Sequence, residues 1–400
     1  MKIGIIREGK IPHDKRVALT PNQCKKAMDL YPDLDILIQP STIRAFKDAE
    51  YESLGIILQE DLSDCDVLVG VKEVNIEDLI PHKKYFFFSH TYKKQPYNKE
   101  LLQAILAKKI QLIDYELLTK NDVRVIAFGR YAGIVGMYNG LKGYGKKIGQ
   151  NKMDPAHTCH SMKEMMAELD KLSFIPPIKI LITGHGRVAG GAVEVLKQAN
   201  IKKVSKEDFI SKSYHENVYA QLNVECYTSR ISDNGFDLQE FYDDPSAYKS
   251  DFMTYAKHAD LYVACHYWDS RGPFIFTRED ARSKDFNIKM IADISCDIDG
   301  PVASTIRPST IANPFYGYDP ITESETNFYD DEAIGVMAVD NLPCELPRDA
   351  SESFGESFLE HIIPALLNDD PDGLIERASE TDLTGKLTPH FEYLQDYVND

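Results

Sequence analysis

Lys72 with Glu73, and His90, each stand directly behind a short apolar run, residues 66–71 in one case and 85–89 in the other. Runs of this length, rich in Val and Phe, predict central strands of an α/β sheet. Ligands of open α/β sheets lie off the carboxyl ends of the strands. If the two strands are parallel neighbours, Lys72 and His90 project into one cleft. A Lys and a His placed so can move protons near neutral pH, provided burial or a nearby cation lowers the Lys pKa. The same pattern also fits two unrelated surface residues, one at each strand end.

A second chemical signal runs from Lys179 to Leu196, KILITGHGRVAGGAVEVL, which reads as strand, glycine turn and helix. As GxGxxA in that context it is a dinucleotide fingerprint. Gly184 allows the tight turn, and Gly186 lets the backbone approach a pyrophosphate at the helix N-terminus. Arg187 and Val188 open the helix, and Ala189 with Gly190 allows close helix–strand packing. The alternative is a purely structural βα turn. The next strand, read at 201–204, should end in an acid if the ribose carries a free 2′-hydroxyl. Ser205 and Lys206 stand there instead, with Glu207 two positions late. Ser205 and Lys206 suit a 2′-phosphate, which leans the cofactor from NAD towards NADP.

These groups need a frame. Residues 2–6 predict a first strand, and Thr20 with Pro21 an N-capped helix start. Helical and strand patterns then alternate to about Arg130, as in a parallel sheet. Residues 133–149 look helical yet hold five Gly, at 133, 136, 140, 143 and 145. Each costs roughly 0.5–1 kcal/mol against Ala in a helix interior, so a packing or hinge role is expected. Further buried strands are read at 178–183, 289–294 and 335–339. Residues 223–255 read as loops and short helices, and 350–367 as an amphipathic helix begun by Ser351 or Ser353.

The whole chain narrows the function classes. It has 400 residues, 43% of them hydrophobic, enough for two domains with ordinary cores. A net charge of −18 disfavours nucleic acid and anionic membrane as partners. Seven Cys without a CxxC pair suit reduced thiols in a cytosol. With no signal-peptide pattern and no bilayer-length apolar run, the expectation is a soluble cytoplasmic protein of unspecified oligomeric state. His157 and His160 flank Cys159 without a matching downstream pair, so no metal site is expected.

GVKEV, FFFSHTYKKQ, LIDYELLT, VRVIAFGRYAGIVGM, GHGRVAGGA, ADISCD and AVDNLPCELP follow one another along the chain. In that combination and order it resembles saccharopine dehydrogenase (L-lysine-forming). It is most similar to the lysine–ketoglutarate reductase domain of the bifunctional aminoadipic semialdehyde synthases. The similarity spans roughly residues 2–366 and is weakest across 200–255. More distantly, the chain looks like alanine dehydrogenase and the transhydrogenase α-subunit.

The resemblance implies an α/β fold of two Rossmann-like doubly wound domains with an interdomain cleft. Residues 1–130 plus 350–400 would form the catalytic, substrate-binding domain, and 131–349 the dinucleotide-binding domain. It implies NAD(P)-dependent interconversion of saccharopine with L-lysine and 2-oxoglutarate. Lys72 and His90 would be the acid–base pair, with Glu73 and Glu116 tuning its charge. Arg16 matches a substrate-binding arginine, and Asp293, Asp340, Asn341 and Leu342 match positions beside the nicotinamide. Lys93 and Arg130 are further candidates for the substrate carboxylates, the alternative being surface or structural charges. Glu73 and Glu116 also fit structural ion pairs, and Asp293 taken alone reads as a helix or turn cap. The chain departs from the bifunctional pattern in lacking the saccharopine-cleaving second domain, which leaves the physiological direction open. Two other functions fit: another amino-acid dehydrogenase such as alanine dehydrogenase, or a non-catalytic dinucleotide-binding subunit like the transhydrogenase α component. The intact Lys72/His90 pair argues against the second.

Overall fold

The computed structural model describes residues 1–399. By internal contacts the chain divides into two compact units, Met1–Phe128 together with the segment from Pro347 onward, and Gly129–Leu346.

The first unit is built on six strands: β1 (Lys2–Ile5), β2 (Asp35–Ile38), β3 (Ile57–Leu58), β4 (Val67–Val69), β5 (Lys84–Phe87) and β6 (Gln111–Asp114). All pair in parallel, in the order β3-β2-β1-β4-β5-β6. β4 and β5 are therefore parallel neighbours, as the proton-transfer argument requires. Their near-continuous apolar sequence reflects burial on both faces, the rule for parallel sheets. A short antiparallel hairpin, β7 (Thr119–Lys120) and β8 (Val123–Arg124), follows β6. Thr20 caps the helix Pro21–Leu30 in a capping box, its amide donating to Gln23 Oε1 at 3.0 Å and its hydroxyl accepting from the Gln23 amide.

The helix expected to start at Ser351 or Ser353 begins at Pro347 instead. Ser351 lies inside it: its hydroxyl donates to Pro347 O at 2.6 Å and accepts from Val17 N at 2.9 Å. It ties the helix to the 16–21 segment rather than capping it. Phe354 on the same helix stacks on Phe128, centroids 4.4 Å apart.

The second unit holds β9 (Lys179–Thr183), β10 (Lys202–Lys203), β11 (Val218–Leu222), β12 (Thr228–Arg230), β13 (Tyr248–Ser250), β14 (Leu261–Ala264), β15 (Met290–Asp293), β16 (Tyr316–Asp319), β17 (Ser324–Thr326) and β18 (Ile334–Met337). Eight of them form one sheet in the order β10-β11-β9-β14-β15-β18-β16-β17. Pairing is parallel up to β18, and β16 and β17 extend the sheet antiparallel. β12 and β13 make a separate antiparallel hairpin inside the region expected to be loops and short helices.

The glycine-rich helix spans Gly129–Lys147. A Cβ on Gly133 would lie 1.8 Å from Val188 O, and one on Gly191 would lie 2.0 Å from Arg130 O. The helices Gly129–Lys147 and Arg187–Gln198 thus touch backbone to backbone. Gly136 and Gly143 admit the side chains of Ile294 and Met290, which a Cβ would meet at 2.3 and 2.4 Å. Packing explains the stripe. Gly190, expected to allow close helix–strand approach, faces open space; the close approach belongs to Gly191 and is to a helix.

Candidate active site

In the first unit the chemistry gathers at the carboxyl ends of the strands. β1 runs into Glu8, whose carboxylate accepts Val71 N at 2.7 Å and Lys72 N at 2.8 Å and so fixes the turn after β4. Phe88 N donates to Val71 O at 3.0 Å, continuing the β4–β5 ladder to the turns that carry Lys72 and His90. Among the described residues the Lys72 ammonium has no hydrogen-bond or ion-pair partner.

Glu73 follows Lys72 and is only 8% exposed. It accepts from Lys10 Nζ at 2.6 Å and lies 3.0 Å from His90 Nδ1. Burial opposes its ionisation, but the hydrogen bonds from His90 and Lys10 prevail and hold the carboxyl down at about 2. An ionised carboxylate only accepts. Nδ1 of His90 therefore carries the hydrogen, and Nε2 is left as the basic nitrogen.

His90 itself sits in the left-handed region, φ 55°. It is held there by Asp114 at the end of β6, whose Oδ2 accepts Ser89 N at 2.8 Å and His90 N at 3.1 Å. Beneath it lies a buried carboxyl–hydroxyl cluster. Ser89 Oγ is 2.6 Å from Asp114 Oδ2, 2.7 Å from Thr91 Oγ1 and 3.0 Å from Glu380 Oε1, and Thr91 Oγ1 is 2.8 Å from Glu380 Oε2. Ser89 and Thr91 have one hydroxyl hydrogen each. Ser89 Oγ accepts from Thr91 N at 3.2 Å; if Ser89 gives its one hydrogen to Asp114, its 3.0 Å contact with Glu380 Oε1 is left without a hydrogen unless Glu380 is protonated. Burial and the neighbouring Asp114 push Glu380 up to about 8, in keeping with that count.

Glu116 follows β6 and binds Lys93 at 2.5 Å, Arg124 at 3.3 Å and the Tyr92 hydroxyl at 2.6 Å. Two cations on one carboxylate leave a local positive excess. Arg16, by contrast, is 4% exposed, bidentate to Asp14 and stacked over Phe128 at 4.1 Å. The structure thus groups Lys72, Glu73 and His90, pairs Lys93 on the turn after β5 with Glu116 after β6, and sets Arg16 against Asp14 and Phe128. Sequence reasoning missed Glu8, Lys10, Asp114, Arg124 and Glu380.

In the second unit Gly184 has φ +103°, and a Cβ there would meet Cys265 O at 2.5 Å. Gly186 precedes the helix Arg187–Gln198 as a cap without a side-chain hydrogen bond, and nothing lies within 4 Å of where its Cβ would be. The helix N-terminus opens onto a cavity of about 920 Å³, lined among others by Gly186, Arg187, Val188, Glu225 and His266. Ala189, fully buried, anchors the helix below it. Open space before a helix N-terminus fits a dinucleotide pyrophosphate.

The strand beside β9 is β11, not the 201–204 segment. Gln221 in β11 donates to Gly184 O at 2.9 Å. That strand runs out at Asn223–Glu225, which line the cavity, and Asn223 Nδ2 donates to Glu225 Oε1 at 2.7 Å. Ser205 instead caps the helix Lys206–Ser211, accepting from Asp208 N at 3.0 Å, and Lys206 reaches Cys226 Sγ at 3.6 Å. Neither lines the cavity. The argument for a 2′-phosphate from Ser205 and Lys206 falls with that strand order.

The other expected residues of this unit lie as follows. Asp293 is fully buried and caps a turn, accepting from Ser295 N at 3.1 Å, Ser295 Oγ at 2.6 Å and Thr305 Oγ1 at 2.7 Å. Arg130 is bidentate to Glu194, at 2.8 and 2.6 Å. Asp340 is exposed, Asn341 donates to Cys344 Sγ at 3.0 Å, and Leu342 is buried against the glycine helix. None of these five lines the cavity. Among the described residues no helix is long and apolar enough to cross a membrane, and no group of side chains could hold a metal ion.

The family model for the alanine dehydrogenase/PNT N-terminal domain matches residues 4–135. The α-aminoadipic semialdehyde synthase of Mus musculus, a mitochondrial protein, is 30% identical over 97% of this chain and 47% of its own length. The chain thus spans about half the length of such relatives. The saccharopine dehydrogenase (NAD(+), L-lysine-forming) of Emericella nidulans is 26% identical, covering 92% of this chain and 91% of the fungal one. Among solved structures an L-alanine dehydrogenase superposes over 100% of both chains with a TM-score of 0.68 at 16% identity, a likeness of fold.

Proposed function

Because this chain belongs to the saccharopine dehydrogenase (L-lysine-forming) and lysine–ketoglutarate reductase family, we propose that it is an NAD(P)-dependent oxidoreductase interconverting saccharopine with L-lysine and 2-oxoglutarate. One observation carries the chemistry: His90 Nδ1 is held by an ionised Glu73 at 3.0 Å, one strand over from Lys72. In the condensing direction His90 Nε2 accepts a proton from the lysine ε-ammonium, freeing the amine to attack the keto carbon. Lys72 returns a proton to the carbinolamine hydroxyl, which leaves as water and gives the imine. The bound nicotinamide supplies the hydride that reduces the C=N bond, or accepts it in reverse. Lys93 and Arg124, sharing Glu116, provide the positive excess for substrate carboxylates. Arg16 we assign to the frame.

For the cofactor the finer proposal is NAD(H). A carboxylate at the end of the strand next to β9 accepts the ribose hydroxyls and repels a 2′-phosphate; Glu225 with Asn223 supplies it. The fungal relative is by name an NAD(+) enzyme. The decisive assay follows the nicotinamide absorbance with lysine, 2-oxoglutarate and NADH or NADPH, and with pyruvate and ammonia as a second arm. Oxidation only in the first arm is expected. Turnover only with pyruvate would make the protein an alanine dehydrogenase, and binding without turnover in either arm a non-catalytic subunit.

A further inference from the structure

Thr183 at the end of β9, Tyr262 in β14 and His266 just beyond β14 form a buried chain. Thr183 Oγ1 lies 2.9 Å from Tyr262 OH and 2.9 Å from His266 Nδ1. Thr183 and Tyr262 are closed to solvent, and His266 is 9% exposed. Among the described residues Tyr262 OH has one further approach, 3.5 Å to the same Nδ1, and His266 Nε2 has no partner. Burial pushes the imidazole down to about 4, so it is neutral and carries one hydrogen.

The three groups then share three polar hydrogens and one choice of direction. If the chain runs from His266 to Tyr262, the phenol hydrogen is stranded in the sheet core. If it runs from Tyr262 through Thr183 to His266, the Nε2 hydrogen is stranded. Only the second arrangement can be completed from outside. Tyr262 is packed among Leu181, Phe252, Ile291 and their neighbours, whereas His266 lines the cavity before the glycine turn. A buried donor without an acceptor costs about 1–3 kcal/mol. An acceptor arriving at Nε2 recovers it and satisfies every group of the chain.

The acceptor's class follows from place. His266 N lies 3.0 Å from where a Cβ on Gly184 would stand, so the residue abuts the first glycine of the turn. β9 and β14 are neighbours on the side of the sheet where strand order reverses, the point at which dinucleotides lie. We infer that His266 donates its Nε2 hydrogen to a pyrophosphate oxygen of the bound dinucleotide, with Tyr262 and Thr183 fixing the tautomer. The inference rests on the dinucleotide reading of this unit. It adds a neutral donor, contributed by the neighbouring strand, to the helix N-terminus. Nε2 is sheltered in the ligand-free chain, so binding must move the side chains that cover it.

Wild type, His266→Leu and His266→Gln are compared by melting temperature without ligand and by titration with NADH and with ADP-ribose, which keeps the pyrophosphate and lacks nicotinamide. His266→Leu removes the stranded polar atom, so its ligand-free melting temperature should hold or rise. Its dissociation constants for both ligands should rise about 10- to 100-fold, the worth of a hydrogen bond to a charged group. His266→Gln, able to place an N–H near the same point, should recover part of that. A lowered melting temperature with affinities within about twofold of wild type would make His266 structural and overturn the inference. A loss confined to NADH would move the contact to the nicotinamide end and overturn it equally. If the wild type binds neither ligand, the dinucleotide reading itself falls, and this inference with it.

Discussion

At the scale of single residues, the hydrogen between His90 and Glu73 decides which imidazole nitrogen reacts. Replacing His90 with Gln or Lys72 with Met removes one proton carrier and should lower kcat by about 10²–10⁴-fold, the usual worth of general acid–base catalysis. NADH affinity should not change, because the glycine-turn residues are untouched. Near wild-type kcat in both variants, measured by steady-state kinetics, would require another shuttle. Gly186 offers the complementary test. The space about its Cβ position is open, so Gly186→Val should fold normally while its branched side chain occupies the pyrophosphate's place. Calorimetric titration should find dinucleotide binding abolished, and retained affinity in a folded variant would displace the cofactor from this turn. The rule that singled out Lys72, Glu73 and His90, an ionisable residue behind an apolar strand, applies equally to Glu8 after β1 and to Asp114 closing β6. It was legible there too. Glu380 reaches the cluster from a segment distant in sequence, and no local pattern announces such a contact.

At the scale of elements, strand order is what the sequence withheld. The segment 201–204 follows the fingerprint helix in the chain, and proximity along the chain made it the natural second strand. In space β11 takes that place and β10 lies outside it. Pairing between non-consecutive strands is a tertiary decision that periodicity does not encode, and so Ser205 and Lys206 drew the cofactor argument that the proposed function moves to Glu225. The glycine helix is the opposite case. Five small residues at helical spacing promised close approach, and Gly133 against Val188 O delivers it. The correction over β11 has a kinetic consequence. The wild type should show a higher kcat/KM with NADH than with NADPH. Glu225→Ser should narrow or reverse that ratio by about tenfold or more, since removing like-charge repulsion admits the 2′-phosphate. A wild type that prefers NADPH, or a ratio indifferent to the substitution, would remove Glu225 from the ribose.

At the scale of the molecule, alternating patterns were enough to foresee parallel α/β sheets, because a parallel strand is buried on both faces and reads as an unbroken apolar run. The antiparallel pieces escaped for other reasons: β12, β13 and β17 are three residues long and mostly polar, and β16, though buried, has Tyr and Gly in place of an aliphatic run. Burial also gives the first unit an acid–base dependence of its own. Glu380, wholly buried, is pushed up to about 8 from the ordinary 4.5 by burial first and Asp114 second. An acid that holds its proton more tightly folded than unfolded stabilises the fold below its unfolded pKa, and that stability is lost as pH rises through its folded pKa. The window is therefore about pH 4.5 to 8. Glu73 works oppositely: held at about 2, its contribution is present above 4.5 and disappears only as pH falls towards 2. Melting curves of the wild type should accordingly shift down between about pH 5.5 and 8.5. Glu380→Gln keeps the shape and hydrogen-bonding capacity of the neutral acid without its proton to lose, and its melting temperature should fall distinctly less over the same range. Equal slopes for the two proteins would mean that Glu380 is ionised in the fold, and that the buried hydroxyls of Ser89 and Thr91 both donate to carboxylates.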